Sequence, residues 1–158
     1  MTALVDTNVL VYRFDPRGGF KQERATDLLR AGAQDGSIVI PYQALVEFVA
    51  ATTRNSGPGG ALLSAAEAHQ EVDLMLAQFT VLYPSENTFR TALRGASLYR
   101  LPWFDALIWA YADERGLDTL WSEDFQHNGL YGRVRAQNPF ALAVHEPEQT
   151  YGRAKRAR

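Results

Sequence analysis

Four short apolar runs, Ala3–Val5, Ser37–Ile40, Thr80–Tyr83 and Thr119–Trp121, are separated by stretches of roughly 30–40 residues. No tight hairpin joins runs so far apart. A crossover carrying helix does, and it leaves the strands parallel. The intervening stretches have the matching signals. A short helix is expected after a turn at Asp6-Thr7-Asn8, broken by Asp15–Gly19. Lys21 to Ala33 has Ala25, Leu28, Leu29 and Ala33 at helical spacing, closed by Gly36. Tyr42 to Arg54 reads as a helix after Pro41. Ser64 opens a helix to Phe79, with Glu67 at capping-box spacing. Ser85 opens another to about Tyr99, and Pro102, at a first helical position, one more to Arg115, ended by Gly116. Val134–Gln137 reads as a fifth strand. The expectation is an α/β fold with a parallel sheet of four to five strands, covered on both faces by helices. In such sheets ligands bind beyond the carboxyl ends of the strands.

A chain of 158 residues with 46% hydrophobic and 22% charged residues suffices for one domain with a sizeable core. No apolar stretch reaches membrane-span length, and the start has no basic segment before an apolar run, so neither a membrane span nor a secretory signal is expected. There is no cysteine, which removes thiolate metal sites and fits a cytoplasmic location. The net charge of −2 excludes binding of nucleic acid by bulk charge. Fourteen of the sixteen basic residues are arginines, a type suited to phosphate, although genome composition explains such a bias equally well. From His145 to Arg158 the chain is polar and basic, and we expect a domain over 1–144 and a tail over 145–158.

Four acids stand where chemistry is expected. Asp6 follows the first strand among apolar neighbours, and a carboxylate there is costly to desolvate unless paired. Glu47 lies in the helix after Pro41, with Gln43, Ala44, Ala50 and Ala51 on its face. That face is small enough for another element to approach. Asp105 is in the first turn of its helix, yet its neighbours at helical spacing are Ile108, Trp109 and Ala112. Asp124 follows the fourth strand, with Ser122 and Glu123 before it. Each has an ordinary explanation: a helix N-cap for Asp6, a solvated face for Glu47, the helix dipole for Asp105, a polar turn for Asp124. If they converge, like charges suppress one another's ionisation until a cation arrives. Hard oxygen ligands select Mg²⁺ or Mn²⁺. Thr7, Asn8 and Ser122 are then candidates to orient the carboxylates or bound water.

The stretches LVDTNVLVYRFDP, IPYQALVEFVAATTR and LPWFDALIWAYADERGLDTLWSEDFQHNG, with NPF beyond, resemble PIN-domain ribonucleases, most closely the VapC-type toxins of toxin–antitoxin modules. The resemblance runs from about Ala3 to Phe140. It implies a PIN-like three-layer α/β fold and a metal-dependent endoribonuclease that leaves a 5′-phosphate and a 3′-hydroxyl. It places catalytic and metal-binding roles on Asp6, Glu47, Asp105 and Asp124. Asn8 and Ser122 match supporting positions, and Glu123 stands beside the fourth acid as a possible substitute. Asn128 departs from the spacing expected in that loop. The resemblance further implies an RNA substrate, an antitoxin partner and a homodimer.

Arg13, Arg17, Arg24, Arg133 and Arg135, with Arg153, Lys155, Arg156 and Arg158, are candidates to grip RNA phosphates. Trp103, Phe104 and Trp109 are candidates for base stacking, although packing is the commoner use of such residues. His127 reads as a loop residue. An antitoxin groove is expected on the helix bearing Leu45, Phe48 and Val49 and on Ser64–Phe79. Three alternatives stand beside a ribonuclease. A catalytically silent PIN fold could bind protein or RNA. A phosphoacceptor receiver would need a lysine near the last strand, and Lys21 and Lys155 are far from it in sequence. A DNA or flap nuclease would need additional segments.

Overall fold

The structure is a computed structural model in which residues 1–141 are described. The expected tail over 145–158, with its four basic candidates, lies outside them, as do residues 142–144.

The elements follow the order β1 (Ala3–Val5), α1 (Thr7–Tyr12), a 3₁₀ turn (Pro16–Gly18), α2 (Phe20–Asp35), β2 (Ile38–Pro41), α3 (Tyr42–Thr53), α4 (Ala65–Gln78), β3 (Thr80–Leu82), α5 (Glu86–Tyr99), α6 (Trp103–Glu114), β4 (Thr119–Trp121), β5 (Leu130–Tyr131) and β6 (Val134–Gln137). The sheet order is β3-β2-β1-β4-β6-β5. Every adjacent pair is parallel except β5–β6.

Local chemistry sets most boundaries. Ser64 and Ser85 each close a capping box, with Glu67 and Thr88 as the returning partners. Gly36 ends α2 at φ 69°, a left-handed conformation that glycine adopts at least cost. Pro102 is the N-cap of α6 and not its first helical residue, so Asp105 stays in the first turn. β5 was not expected. It is two residues long and forms a hairpin with β6 through Gly132, too short for any periodicity to signal.

The core is built on the central strands. Leu4, Val5, Ile40 and Leu120 are fully buried, as is Phe48 of α3. Burying each such side chain contributes about 1.5–3 kcal/mol. The helix pair α5 and α6 meets where Gly95 faces the Trp109 ring. Any Cβ at residue 95 would overlap that ring. The close approach fixes α6, and with it the turn that carries Asp105.

The topology decides where a site forms. The chain steps from β1 to β2 to β3 in one direction and then returns across β1 to β4. The right-handed rule for parallel crossovers assigns α1–α4 to one face and α5–α6 to the other. Consistently, α2 and α3 pack on β2, and α6 packs on β1, β4 and β6. The order in which strands are added to the sheet reverses between β1 and β4, which are parallel neighbours. A crevice opens beyond the carboxyl ends of such a pair. Asp6 and the segment Ser122–Asp124 are the residues that follow those two ends.

Candidate metal centre

Asp6 is only 3% exposed. An N-cap side chain ordinarily accepts from the second or third helical N–H. The Asp6 side chain instead accepts from Thr7, the first, at Oδ1 over 2.6 Å. Its Oδ2 accepts from the Ser122 hydroxyl at 2.6 Å and from Asn8 Nδ2 at 3.5 Å. Asp6 therefore caps α1 with one oxygen and faces the crevice with the other.

Asp6, Asp105 and Asp124 each place a carboxylate oxygen within 4.8 Å of the others. Burial pushes the Asp6 carboxyl up to about 7, against hydrogen bonds from Ser122 and Thr7; the charges of Asp124 and Asp105 add to the rise. Burial likewise lifts Asp105 to about 6, reinforced by Asp124 and Glu47. Among the described residues no ion pair includes any of these acids. The favourable end of α6 lies beneath Asp105, and it does not offset the desolvation.

Glu47 lies outside this group of three. Its Oε2 accepts from the Thr7 hydroxyl at 2.7 Å and its Oε1 from Gln43 Nε2 at 2.6 Å. Gln43 also donates to the Phe104 carbonyl in the first turn of α6 at 3.2 Å, tying α3 to the helix of Asp105. Glu47 thus acts on the group through its charge on Asp105.

Asn8 Nδ2 gathers the site from below. It donates to Asp124 Oδ2 at 3.1 Å and to Ser122 Oγ at 3.3 Å, besides Asp6. Asp124 is exposed, and its backbone N–H donates to Ser122 Oγ at 3.1 Å. Two amide oxygens, Asn8 Oδ1 and Gln43 Oε1, are buried with no partner among the described residues. The donor set fits a hard divalent cation: carboxylate oxygens only, close enough for one coordination sphere of about 4–5 Å across.

Glu123 is directed elsewhere. It accepts from Tyr12 Oη at 2.7 Å and from Lys21 Nζ at 2.8 Å. Its hydrogen bond with the Lys21 amine, helped by its charge, holds that amine above the usual lysine range. Sequence reasoning gave Tyr12 no role and set Lys21 aside as poorly placed; they are 111 and 102 residues from Glu123 along the chain. Gln43 was legible only as a neighbour of Glu47 at helical spacing.

Other expectations sort by burial. Trp109 is buried, its Nε1–H donating to the Tyr131 carbonyl at 3.0 Å. Phe104 is exposed and Trp103 half-buried. Arg17 pairs with Asp15, Arg24 donates to the Pro139 carbonyl and Arg135 to the Asn128 carbonyl, so these three have local partners. Asn128 takes φ 63°, a turn conformation that asparagine tolerates, and the loop closes through Gly129 N–H to the Gln126 carbonyl. The His127 ring accepts the Asn138 N–H at Nδ1. Of the two helices expected to carry an antitoxin groove, α4 exposes Leu74 and Leu76, and α3 needs a correction in its residues. Leu45 and Phe48 are buried in the core and line no open surface. The exposed apolar residues of α3 are Tyr42, Val46 and Val49. Tyr42 and Val46, with Phe89, Leu107 and Tyr111, line an apolar groove of about 280 Å³ between α3, α5 and α6.

The PIN domain family model matches residues 3–131. The chain belongs to the PIN-domain family. Its fold is shared by the VapBC2 complex of Rickettsia felis bound to a promoter DNA fragment, at TM-score 0.64 and 15% identity, over 87% of this chain and 98% of that one. A toxin–antitoxin complex of Klebsiella pneumoniae matches at TM-score 0.62 and 21% identity, over 88% and 98%. The sarcin–ricin-loop-cleaving toxin VapC20 of Mycobacterium tuberculosis matches at TM-score 0.61 and 14% identity, over 78% and 90%. No curated protein matches in sequence. The family assignment removes the receiver alternative. Among the described residues no helix is long and apolar enough to cross a membrane.

Proposed function

We propose that this protein is a divalent-metal-dependent endoribonuclease and the toxin of a type II toxin–antitoxin pair. The carrying observation is the group Asp6, Asp105 and Asp124, held together at the β1/β4 crevice of a PIN-family chain, with the pKa of Asp6 and Asp105 raised and no cationic partner among the described residues. Asp6, Asp105 and Asp124 are assigned as direct holders of Mg²⁺ or Mn²⁺, and Glu47 as an acid that acts from outside them. A bound divalent cation supplies a Lewis acid that offsets phosphodiester charge and makes water nucleophilic near neutral pH. The chain's own residues do the rest. Ser122 and the Thr7 N–H fix the two Asp6 oxygens, Asn8 spans Asp6 and Asp124, and Thr7 and Gln43 hold Glu47. The exposed side chain of Asp124 leaves the crevice open to a polymer.

A catalytically silent module would have little use for acids kept close at this desolvation cost. The toxin assignment rests on the PIN family and on the toxin–antitoxin proteins that share the fold. From it follow an antitoxin partner, a homodimer and a cytoplasmic location. An antitoxin arginine could replace the cation among the acids and so block RNA.

The experiment is cleavage of structured and unstructured RNA with Mn²⁺, Mg²⁺ or EDTA, beside Asp6→Asn and Asp105→Asn. Cleavage that needs the metal and both acids, with 5′-phosphate products, supports the reading. Cleavage that persists in EDTA, or in both variants, overturns it.

A further inference from the structure

Glu123 sits between two residues of the site and joins neither. Ser122 holds Asp6, and Asp124 faces Asp6 and Asp105. The intervening carboxylate turns to α1 and α2, where Tyr12 Oη and Lys21 Nζ occupy one oxygen each. Lys21 also donates to Tyr12 Oη at 3.2 Å. Its ammonium lies 4.9 Å from the Tyr12 ring centroid and 5.5 Å from that of Phe140. Those two rings meet edge to face at 5.1 Å. The ion pair is half-buried, with side-chain exposures of 33% for Lys21 and 22% for Glu123. Such a pair is screened less by salt than a surface pair and resists being broken.

We propose that Lys21 and Tyr12 are positioning residues that latch Glu123 and thereby hold Asp124 in register with Asp6 and Asp105. The proposal rests on the metal-centre reading above. Its physical content is mechanical. Asp124 is the most exposed of the three acids and lies on a loop, so the path of that loop sets where its carboxylate stands. Fixing the residue before it leaves Asp124 mainly its own side-chain rotations. The latch also explains why a glutamate adjacent to a metal-binding position does not compete for it: both of its oxygens are committed.

An electrostatic role for the pair predicts the opposite sign of effect, and this makes the proposal testable. Removing Lys21 adds net negative charge beside the site. If charge alone matters, the cation binds more tightly. If position matters, it binds more weakly. The measurement is Mn²⁺ titration by calorimetry on the full chain without RNA, followed by RNA cleavage across a Mn²⁺ series. Lys21→Met is expected to weaken Mn²⁺ binding by about tenfold or more, the range seen when the supports of metal ligands are removed. Lys21→Arg, which keeps the ion pair, is expected to stay within about twofold of the wild type. Tyr12→Phe removes one hydrogen bond, and a smaller loss of the same sign, about threefold, is expected. High Mn²⁺ is expected to restore cleavage by Lys21→Met and not by Asp124→Asn.

Unchanged or tighter Mn²⁺ binding in Lys21→Met overturns the latch while leaving the metal centre standing. A wild-type chain that binds no Mn²⁺ overturns the metal centre itself, and the latch with it. If Lys21→Met does not fold, Tyr12→Phe decides: binding equal to that of the wild type counts against the latch.

Discussion

Helix α6 carries acids at both ends, and two of them, Asp105 and Glu114, are treated in opposite ways. Asp105, in the first turn, has the helix dipole in its favour, yet burial and the charges of Asp124 and Glu47 raise its pKa to about 6. Glu114, in the last turn, has the dipole against it. Burial also works against its charge, but hydrogen bonds from Thr88, Ser85 and Asn87 outweigh this and hold it below the usual glutamate range. Its partners are concrete: Ser85 Oγ donates at 2.8 Å and the Thr88 hydroxyl closes onto the other oxygen. The position of a carboxylate on the helix therefore decides less than the donors around it. Glu114 is an acid completed by its own protein and ties α5 to α6. Asp105 is an acid left incomplete; Asp6 has donors on both oxygens, and burial raises its pKa all the same.

The contrast can be broken from both sides. The largest expected effect is on chemistry. Asp105→Asn or Asp6→Asn is expected to lower metal-dependent RNA cleavage by more than about 100-fold, beyond the loss typical of a merely supporting residue. Glu114→Ala is expected to leave cleavage per folded molecule unchanged. Turnover on the same RNA at saturating Mn²⁺ checks all three.

Stability is expected to move the other way. In EDTA at pH 8 the ionised Asp6 is a buried charge without a cation, so Asp6→Asn is expected to stabilise the protein by about 2–4 kcal/mol. Asparagine also retains a good N-cap for α1. Glu114→Ala leaves the buried Thr88 hydroxyl without its acceptor and is expected to destabilise by about 1–3 kcal/mol. Urea denaturation of each variant measures both signs, and a destabilised Asp6→Asn would remove the contrast.

The pH dependence sharpens the same point. A carboxyl whose folded pKa is raised holds its proton in the native state where the unfolded chain has already lost it. From about pH 4 to about pH 7 the native state then binds more protons, and stability in EDTA falls as pH rises. Glu114 contributes with the opposite sign, its share being lost as pH falls. Bound Mg²⁺ must displace the protons on Asp6 and Asp105, so its apparent affinity is expected to rise over the same interval. Thermal unfolding from pH 4 to 8, with and without Mg²⁺, reads the slope. A flat profile in EDTA would contradict the raised pKa of Asp6 and Asp105.

The smallest effect concerns the fourth acid. Thr7→Val removes one of the two donors on Glu47 and leaves the Thr7 N–H on Asp6 intact. Loss of one such hydrogen bond is expected to cost roughly fivefold in turnover. A loss as large as that of Asp105→Asn would place Glu47 inside the metal group.

Much of this was legible along the chain because its causes are local. Ser64 and Ser85 announce their helices by capping, Gly36 ends α2, and the apolar runs mark strands β1 to β4. Asp105 was conspicuous as an acid on an apolar helical face. The signals that failed were of two kinds. Leu45 and Phe48 look like groove residues in sequence, but which side of an apolar helix meets the core depends on what packs there. The two-residue strand β5 is too short to carry a pattern of its own.

By itself the sequence determined the α/β alternation, the parallel sheet, three acids at strand and helix ends and a fourth, Glu47, in the middle of a helix. These follow from backbone geometry, capping and hydrophobic period, which act within a few residues. Tertiary structure alone decided that Asp6, Asp105 and Asp124 form one group, that Glu47 stands outside it, and that Glu123 is bound by Lys21 and Tyr12. Burial and Coulomb interaction depend on distance in space, and these side chains are brought together by the return of the chain across β1.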